Sequence, residues 1–183
     1  MTYKLSNFYF VKEAGFYDTY ECIEQAMKYY YDDPGTSCGK FRFVLESVVE
    51  EIFEVLGQKS TNDSVFENLG CLKTLIPSVF FPEELLDEMH LMRCVTNRYS
   101  HKDSCGESEK DRLTCYISTL KICNWLVDFK KQYPNYLSRE EEKERKKKEK
   151  RKKNWKTAGK VMGAILGVAG AIFGISQLGK KKD

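Results

Sequence analysis

Residues 161–179, VMGAILGVAGAIFGISQLG, run for nineteen positions without a charged side chain, directly after the lysine-dense RKKNWKTAGK. At about 1.5 Å of rise per residue a helix of that length spans about 28 Å, close to the hydrocarbon thickness of a bilayer. A soluble helix keeps a polar face; this segment has none, and the expectation is one C-terminal transmembrane helix. Gly159, Gly163, Gly167, Gly170 and Gly174 recur at spacings of four, four, three and four, so they share one side of the helix. Small residues in such a row let helix backbones approach closely in lipid, which makes Gly163, Gly167, Gly170 and Gly174 candidates for membrane packing between copies. A glycine-rich span is only moderately hydrophobic, so peripheral insertion stays open as the alternative. The lysines before it hold the body on the cytoplasmic side under the positive-inside rule, leaving only a short basic tail, 180–183, to cross.

Charge divides the chain at the same place. Residues 1–138 carry 15 Lys+Arg against 21 Asp+Glu, whereas 139–183 carry 15 against 6, so a body of −6 is joined to a tail of +9. Twelve basic residues between Arg139 and Lys160 suit an acidic lipid surface or a nucleic acid, with strong salt dependence. Within 139–160 the opposite charges also fall at i, i+4 spacings that support a solvated helix, a flexible linker being the alternative.

Ahead of that tail, breaks at 32–35, 57–63, Pro77, 81–84, 102–108 and 133–138 separate segments of helical length. The first runs from about Phe16 to Tyr31. The second starts at or just after Pro34, stops at Gly57, and sets Phe41, Val44, Leu45, Val48, Val49, Ile52 and Leu56 three and four residues apart, a core-facing stripe. A third runs from Val65 to Ile76, after a cap cluster at Asn62, Asp63 and Ser64. The fourth opens at Pro82 with Glu83 and Glu84 in its first turn, and the fifth runs from Glu107 to about Lys131. Only FYFV, residues 8–11, hints at a strand. The expected architecture is all-α: a helical bundle over 1–138, a basic helix or linker over 139–160, and the span over 161–179.

Seven cysteines, an odd number with no CxxC pair and no Cys/His cluster, argue against a zinc site and for reduced thiols. No phosphate-cradling glycine loop, Ser/His/Asp set or HExxH motif is present, and two histidines exclude most histidine-based sites by count. No metal and no cofactor is expected. The carboxylates at 50, 51 and 54 and at 83, 84, 87 and 88 read as solvated helix faces.

The fourth helix carries the most polar feature of the body. On a wheel of about 100° per residue, Leu85, Met89, Met92, Val95 and Tyr99 form its core face. His90, Arg93, Asn97 and His101 gather within about 80° of one another on a different side, and a solvated face is the plainest account of such a ridge. IPSVFFPEELLDEMHLMRCVTNRYSHKD nevertheless resembles the last helices of the HEPN superfamily, particularly the HEPN-like domain often attached to restriction endonucleases. That group ends in Arg, two residues, Gly-Asn, three residues and His. Arg93, Asn97 and His101 fit those places, with Thr96 where glycine is usual. The earlier DDPGTSCGKFRFVLESVVEEIFEVLG resembles the preceding helix of the family, with Arg42, Leu45 and Glu46 in its Arg and Leu-Glu positions. The likeness covers about residues 16–125.

The resemblance implies two functions. In catalytic HEPN proteins, metal-independent ribonucleases, an Arg and a His separated by four to six residues meet their symmetry mates across a dimer. An arginine can stabilise phosphate charge while a histidine moves the 2′-hydroxyl proton, with no metal. Here seven residues separate Arg93 from His101, about 12 Å along a helix, and many members with this longer spacing look like binding or assembly modules. A structural role is the third account: Asn97 and His101 satisfying loop backbone, and Arg93 pairing with a carboxylate such as Glu46. With the membrane segment, the architecture resembles that of small accessory proteins of RNA-targeting CRISPR systems in antiviral defence. The first expectation is a sensing, homo-oligomerising body, dimeric or larger, that perturbs the membrane it sits in and takes RNA or an RNA-guided effector protein as partner. The alternative is a membrane-tethered dimeric endoribonuclease.

Overall fold

The computed structural model of the chain describes residues 3–60, 64–99 and 108–178, the last run with side chains over 109–151. It is all-helical, with no strand among the described residues: a short 3-10 turn, Leu5–Phe8, then α1 Tyr9–Glu13, α2 Tyr17–Lys28, α3 Pro34–Val55, α4 Val65–Leu75, α5 Glu83–Asn97 and α6 Ser108–Leu178. FYFV is therefore helical. Phe8 and Val11 are fully buried, three residues apart as one helical face requires, while Tyr9 stays exposed.

α3 organises the body. Its start is fixed by local chemistry: Pro34 occupies the first turn, and Asp33 accepts hydrogen bonds from the Thr36 amide at 3.0 Å and the Thr36 hydroxyl at 2.6 Å. Those bonds hold the Asp33 carboxyl below its ordinary range. Its end is fixed by Gly57, whose φ of +66° a side chain would resist. Between the two, the expected stripe is buried from Phe41 through Ile52. α2 packs antiparallel along α3: the Thr19 and Ser47 hydroxyls meet at 2.9 Å, and the Ser37 hydroxyl donates to the Ala26 carbonyl at 2.9 Å. α5 covers another side, and Val44, Leu45 and Val48 of α3 meet Met92 of α5 and Ile122 of α6 with no room left for water.

Two further devices hold the body. Trp125 stacks on Phe129 with centroids 4.9 Å apart and planes 15° apart, and its indole N–H donates to the Phe80 carbonyl at 2.7 Å, pinning the turn between α4 and α5. At the other end of α5, Asp111 of α6 accepts from Arg98 at 2.9 Å and from the Tyr99 hydroxyl at 2.8 Å. The clasp ties the end of α5 to the first turns of α6. Tyr99, placed on the core face by its spacing, is half-buried because its hydroxyl must reach Asp111.

The fifth helix does not stop near Lys131. α6 continues through the YPNYLS break with Pro134 inside it. Proline removes one backbone donor and crowds the carbonyl four residues back, which disfavours a helix without forbidding one. Beyond it, ion pairs of Lys143 with Glu140, Lys146 with Glu142 and Lys148 with Glu144 support the helical form of the charged segment. The chain falls into two compact units, Met1–Tyr133 and Pro134–Asp183. Among the described residues no helix is long and apolar enough to cross a membrane. The expected span, 161–179 with Gly163, Gly167, Gly170 and Gly174, is helical in its backbone through Leu178. Its side chains, and residues 179–183 altogether, lie outside what is described.

The Asp111 clasp yields a stability prediction. Asp111→Ala should lower unfolding free energy by about 1–3 kcal/mol, the cost of stranding two donors of which Arg98 is half in water. Asp111→Asn, which keeps an acceptor for Tyr99, should lose less; urea unfolding of both variants measures the difference.

Candidate functional site

α5 presents His90, Arg93 and Asn97 at i, i+3 and i+7, all half-buried. α4 supplies the surface against which two of them lie. Phe66, in the first turn of α4, is 56% exposed, and the Arg93 guanidinium sits over its ring with the carbon 5.1 Å from the centroid. The His90 ring lies 5.6 Å from the same centroid at 47°. Thus one exposed aromatic ring carries a cation on its face and an imidazole beside it.

The polar atoms of this cluster are under-used. Among the described residues no carboxylate pairs with Arg93, and its only hydrogen bond there is a long one, 3.6 Å, to the Cys94 sulfur. The Arg93 Nε and the His90 Nδ1 are buried without hydrogen-bond partners. A buried polar atom left in this state costs free energy. Burial, and then the neighbouring Arg93 charge, push the His90 pKa below its ordinary value near 6.5; Asp87 opposes this only in part. His90 is therefore neutral at physiological pH and able to accept a proton.

The proposed Arg93–Glu46 pair does not form. Glu46 is held by Arg42 of its own helix at 2.8 Å, the i, i+4 geometry that a carboxylate four residues after an arginine readily takes. The motif positions Arg42, Leu45 and Glu46 are thus a surface pair beside a buried leucine. Of the two arginines on α5 and its cap, Arg98 is committed to Asp111 and Arg93 is the one with free donors. Asn97 is the last residue of α5, one turn beyond Arg93. His101 lies outside the described residues. Phe66 was not foreseen: three residues before buried Leu69, it has the spacing of a core position, and only the placement of α4 against α5 leaves it outside.

The carboxylate faces are less uniformly solvated than their spacing suggests. Glu88 accepts from the Ser118 hydroxyl at 2.6 Å and from Lys121 at 2.7 Å; although burial raises its pKa, these bonds leave it lowered overall. Glu51 is half-buried, its pKa raised by burial and then by Glu54. Two core thiols are poor nucleophiles: Cys123 is pushed up to about 12 by burial, and Cys115 is raised through its hydrogen bond with Cys38 and by burial. Among the described residues no three His, Cys, Asp or Glu side chains gather as a metal ion would need.

Arg93, Phe66 and His90 can together hold a planar or phosphate-bearing ligand: delocalised charge with free donors, a stacking face, and a neutral base three residues away on the same helix. No protein-family model, curated protein or solved structure matches the chain.

The cluster predicts a pH response. The folded-state pKa of His90 lies below the unfolded value near 6.5, so stability associated with its neutral ring is complete above about pH 6.5 and is lost as pH falls through the depressed folded value. Arg93→Gln should raise the His90 midpoint in an NMR titration by removing the neighbouring charge, and His90→Gln should flatten the fall in stability below about pH 6.5.

Proposed function

We propose that this chain is a membrane-tethered, HEPN-like sensing and oligomerising protein of the CRISPR-accessory antiviral type. Its body takes RNA, or the RNA of an RNA-guided effector, on Arg93 and Phe66, and its C-terminal segment assembles in and perturbs the bilayer. The observation that carries the ligand half is Arg93, a cation with free donors over an exposed ring. Phosphate is the ligand oxygen that most favours a guanidinium, and a base can stack where Phe66 is exposed. The membrane half rests on the nineteen uncharged residues, the twelve basic residues that precede them, and the glycine row. The HEPN half rests on Arg93, Asn97 and His101 in the order of the family motif and on an all-helical body.

One observation favours the ribonuclease as a second reading: neutral His90 stands next to Arg93. An i, i+3 pair on one helix brings side chains within about 6 Å of each other. A proton acceptor beside a phosphate-binding guanidinium is what metal-free cleavage at a 2′-hydroxyl needs.

Binding of a labelled single-stranded RNA to the full chain in detergent tests the proposal. Arg93→Ala and Phe66→Ala should each weaken it about tenfold, the loss of roughly 1.4 kcal/mol, with unchanged circular dichroism. Equal affinity in both variants removes the ligand half. Chelator-resistant RNA cleavage lost in His90→Gln would replace sensing by catalysis. Replacing Gly163, Gly167, Gly170 and Gly174 with leucine should abolish leakage from vesicles; unchanged leakage removes the membrane half.

A further inference from the structure

The outward face of α2 and α3 carries a run of exposed carboxylates, Asp18, Glu21, Glu50 and Glu54. Asp18, Glu21, Cys22 and Gln25 of α2, spaced i, i+3, i+4 and i+7, border a groove of about 290 Å³ whose other wall is Lys40 and Phe43 of α3. Phe43 is 50% exposed, with the Lys40 ammonium over its ring 5.4 Å from the centroid. Asp18 and Glu21 are exposed and make no ion pair among the described residues, and α3 continues the acid with Glu50 and Glu54. The fields of these groups converge: the Cys22 thiol is raised by burial and then by Glu21, Asp18, Glu46 and Glu50 together. A face that repels itself, with an apolar ring at its centre, favours a cationic occupant whose alkyl stems can cover the ring.

The chain carries that occupant. In the charged stretch of α6, Lys143, Lys146 and Lys148 are taken up by glutamates of the same helix. Lys147, Lys150 and Arg151 are exposed, make no ion pair among the described residues, and fall at i, i+3 and i+4, on one side of the helix. They extend over about 6 Å of helix axis, within the roughly 10 Å from Asp18 to Gln25 on α2.

We propose that the α2/α3 groove is a docking surface for a second copy of this chain, which inserts the side of its basic helix formed by Lys147, Lys150 and Arg151 between Asp18, Glu21 and Phe43. The body charge of −6 and tail charge of +9 drive the association, and each copy offers one groove and one basic helix. Such an interface joins different patches on the two copies, so it propagates head to tail into a ring or an open array. The inference stands on charge and geometry alone and does not depend on RNA binding, the HEPN likeness or insertion in a membrane.

The test is a charge swap in the full chain, read as assembly mass in detergent by light scattering. Asp18→Lys with Glu21→Lys makes groove and helix both positive; Lys147→Glu with Lys150→Glu and Arg151→Glu makes both negative. Each set alone should reduce the mass at least twofold, towards the 21.3 kDa protomer, as should raising salt about tenfold for the unsubstituted chain. Mixing the two sets should restore the mass of the unsubstituted assembly with the two variants in equal amounts, because the reversed helix then meets the reversed groove and the unchanged helix meets the unchanged groove; this recovery also shows that both variants are folded. Masses unchanged in either set overturn the proposal. So does reduction in both without recovery on mixing, the result expected if the basic helix docks within its own chain or on acidic lipid.

Discussion

The burial of α3 sets the terms for everything else in the body. Its apolar side chains from Phe41 to Phe53 are spaced so that no single neighbouring helix can cover them all, and α2, α5 and α6 each take a side. Hydrophobic burial is non-directional, so on its own it would tolerate sliding between these helices. The polar contacts remove that freedom: Thr19 against Ser47 and Ser37 against the Ala26 carbonyl fix α2, and the Asp111 clasp fixes the end of α5. With α5 held in one rotation about its axis, Arg93 and His90 are bound to face α4 rather than the core.

From that placement follows the chemistry of the site. A guanidinium on a solvated helix face would be ordinary. Here it lies over Phe66 with its Nε cut off from water, and the same partial burial keeps the adjacent imidazole neutral. The proposed ligand contact and the proposed proton transfer therefore draw on one physical cause, the seating of α4 against α5. The acidic groove lies on other elements, α2 and α3, so a ligand on Arg93 and a second copy in the groove need not compete for the same residues.

Local signals were legible wherever a residue acts on its own backbone or on the next turn. Asp33, Pro34 and Gly57 bounded α3, Pro77 ended α4, and the apolar stripe identified its buried face because helical periodicity depends on the helix alone. Signals failed where two tendencies compete. Pro134 should have ended a helix; the lost donor was outweighed by a strongly helical sequence on either side. FYFV alternates as a strand does, yet over four residues alternation and a helical turn are not distinguishable. Glu88 looked like one more solvated carboxylate until Ser118 and Lys121, thirty or more positions away, closed on it.

The amino-acid sequence by itself determined that the body is helical, where most of its helices begin, that the charge is divided between body and tail, and that His90, Arg93 and Asn97 share a side of α5. Each is a property of spacing or composition along one segment. Only the tertiary structure decided which of the two arginines is free, that Glu46 belongs to Arg42, that Phe66 stands outside the core beneath Arg93, and that Asp18 and Glu21 face Phe43 across a groove. These depend on how one helix is rotated and set against another. That rotation is fixed by pairings between separate helices and turns, Asp111 with Arg98 13 positions away and Trp125 with Phe80 45 away, which no local pattern records.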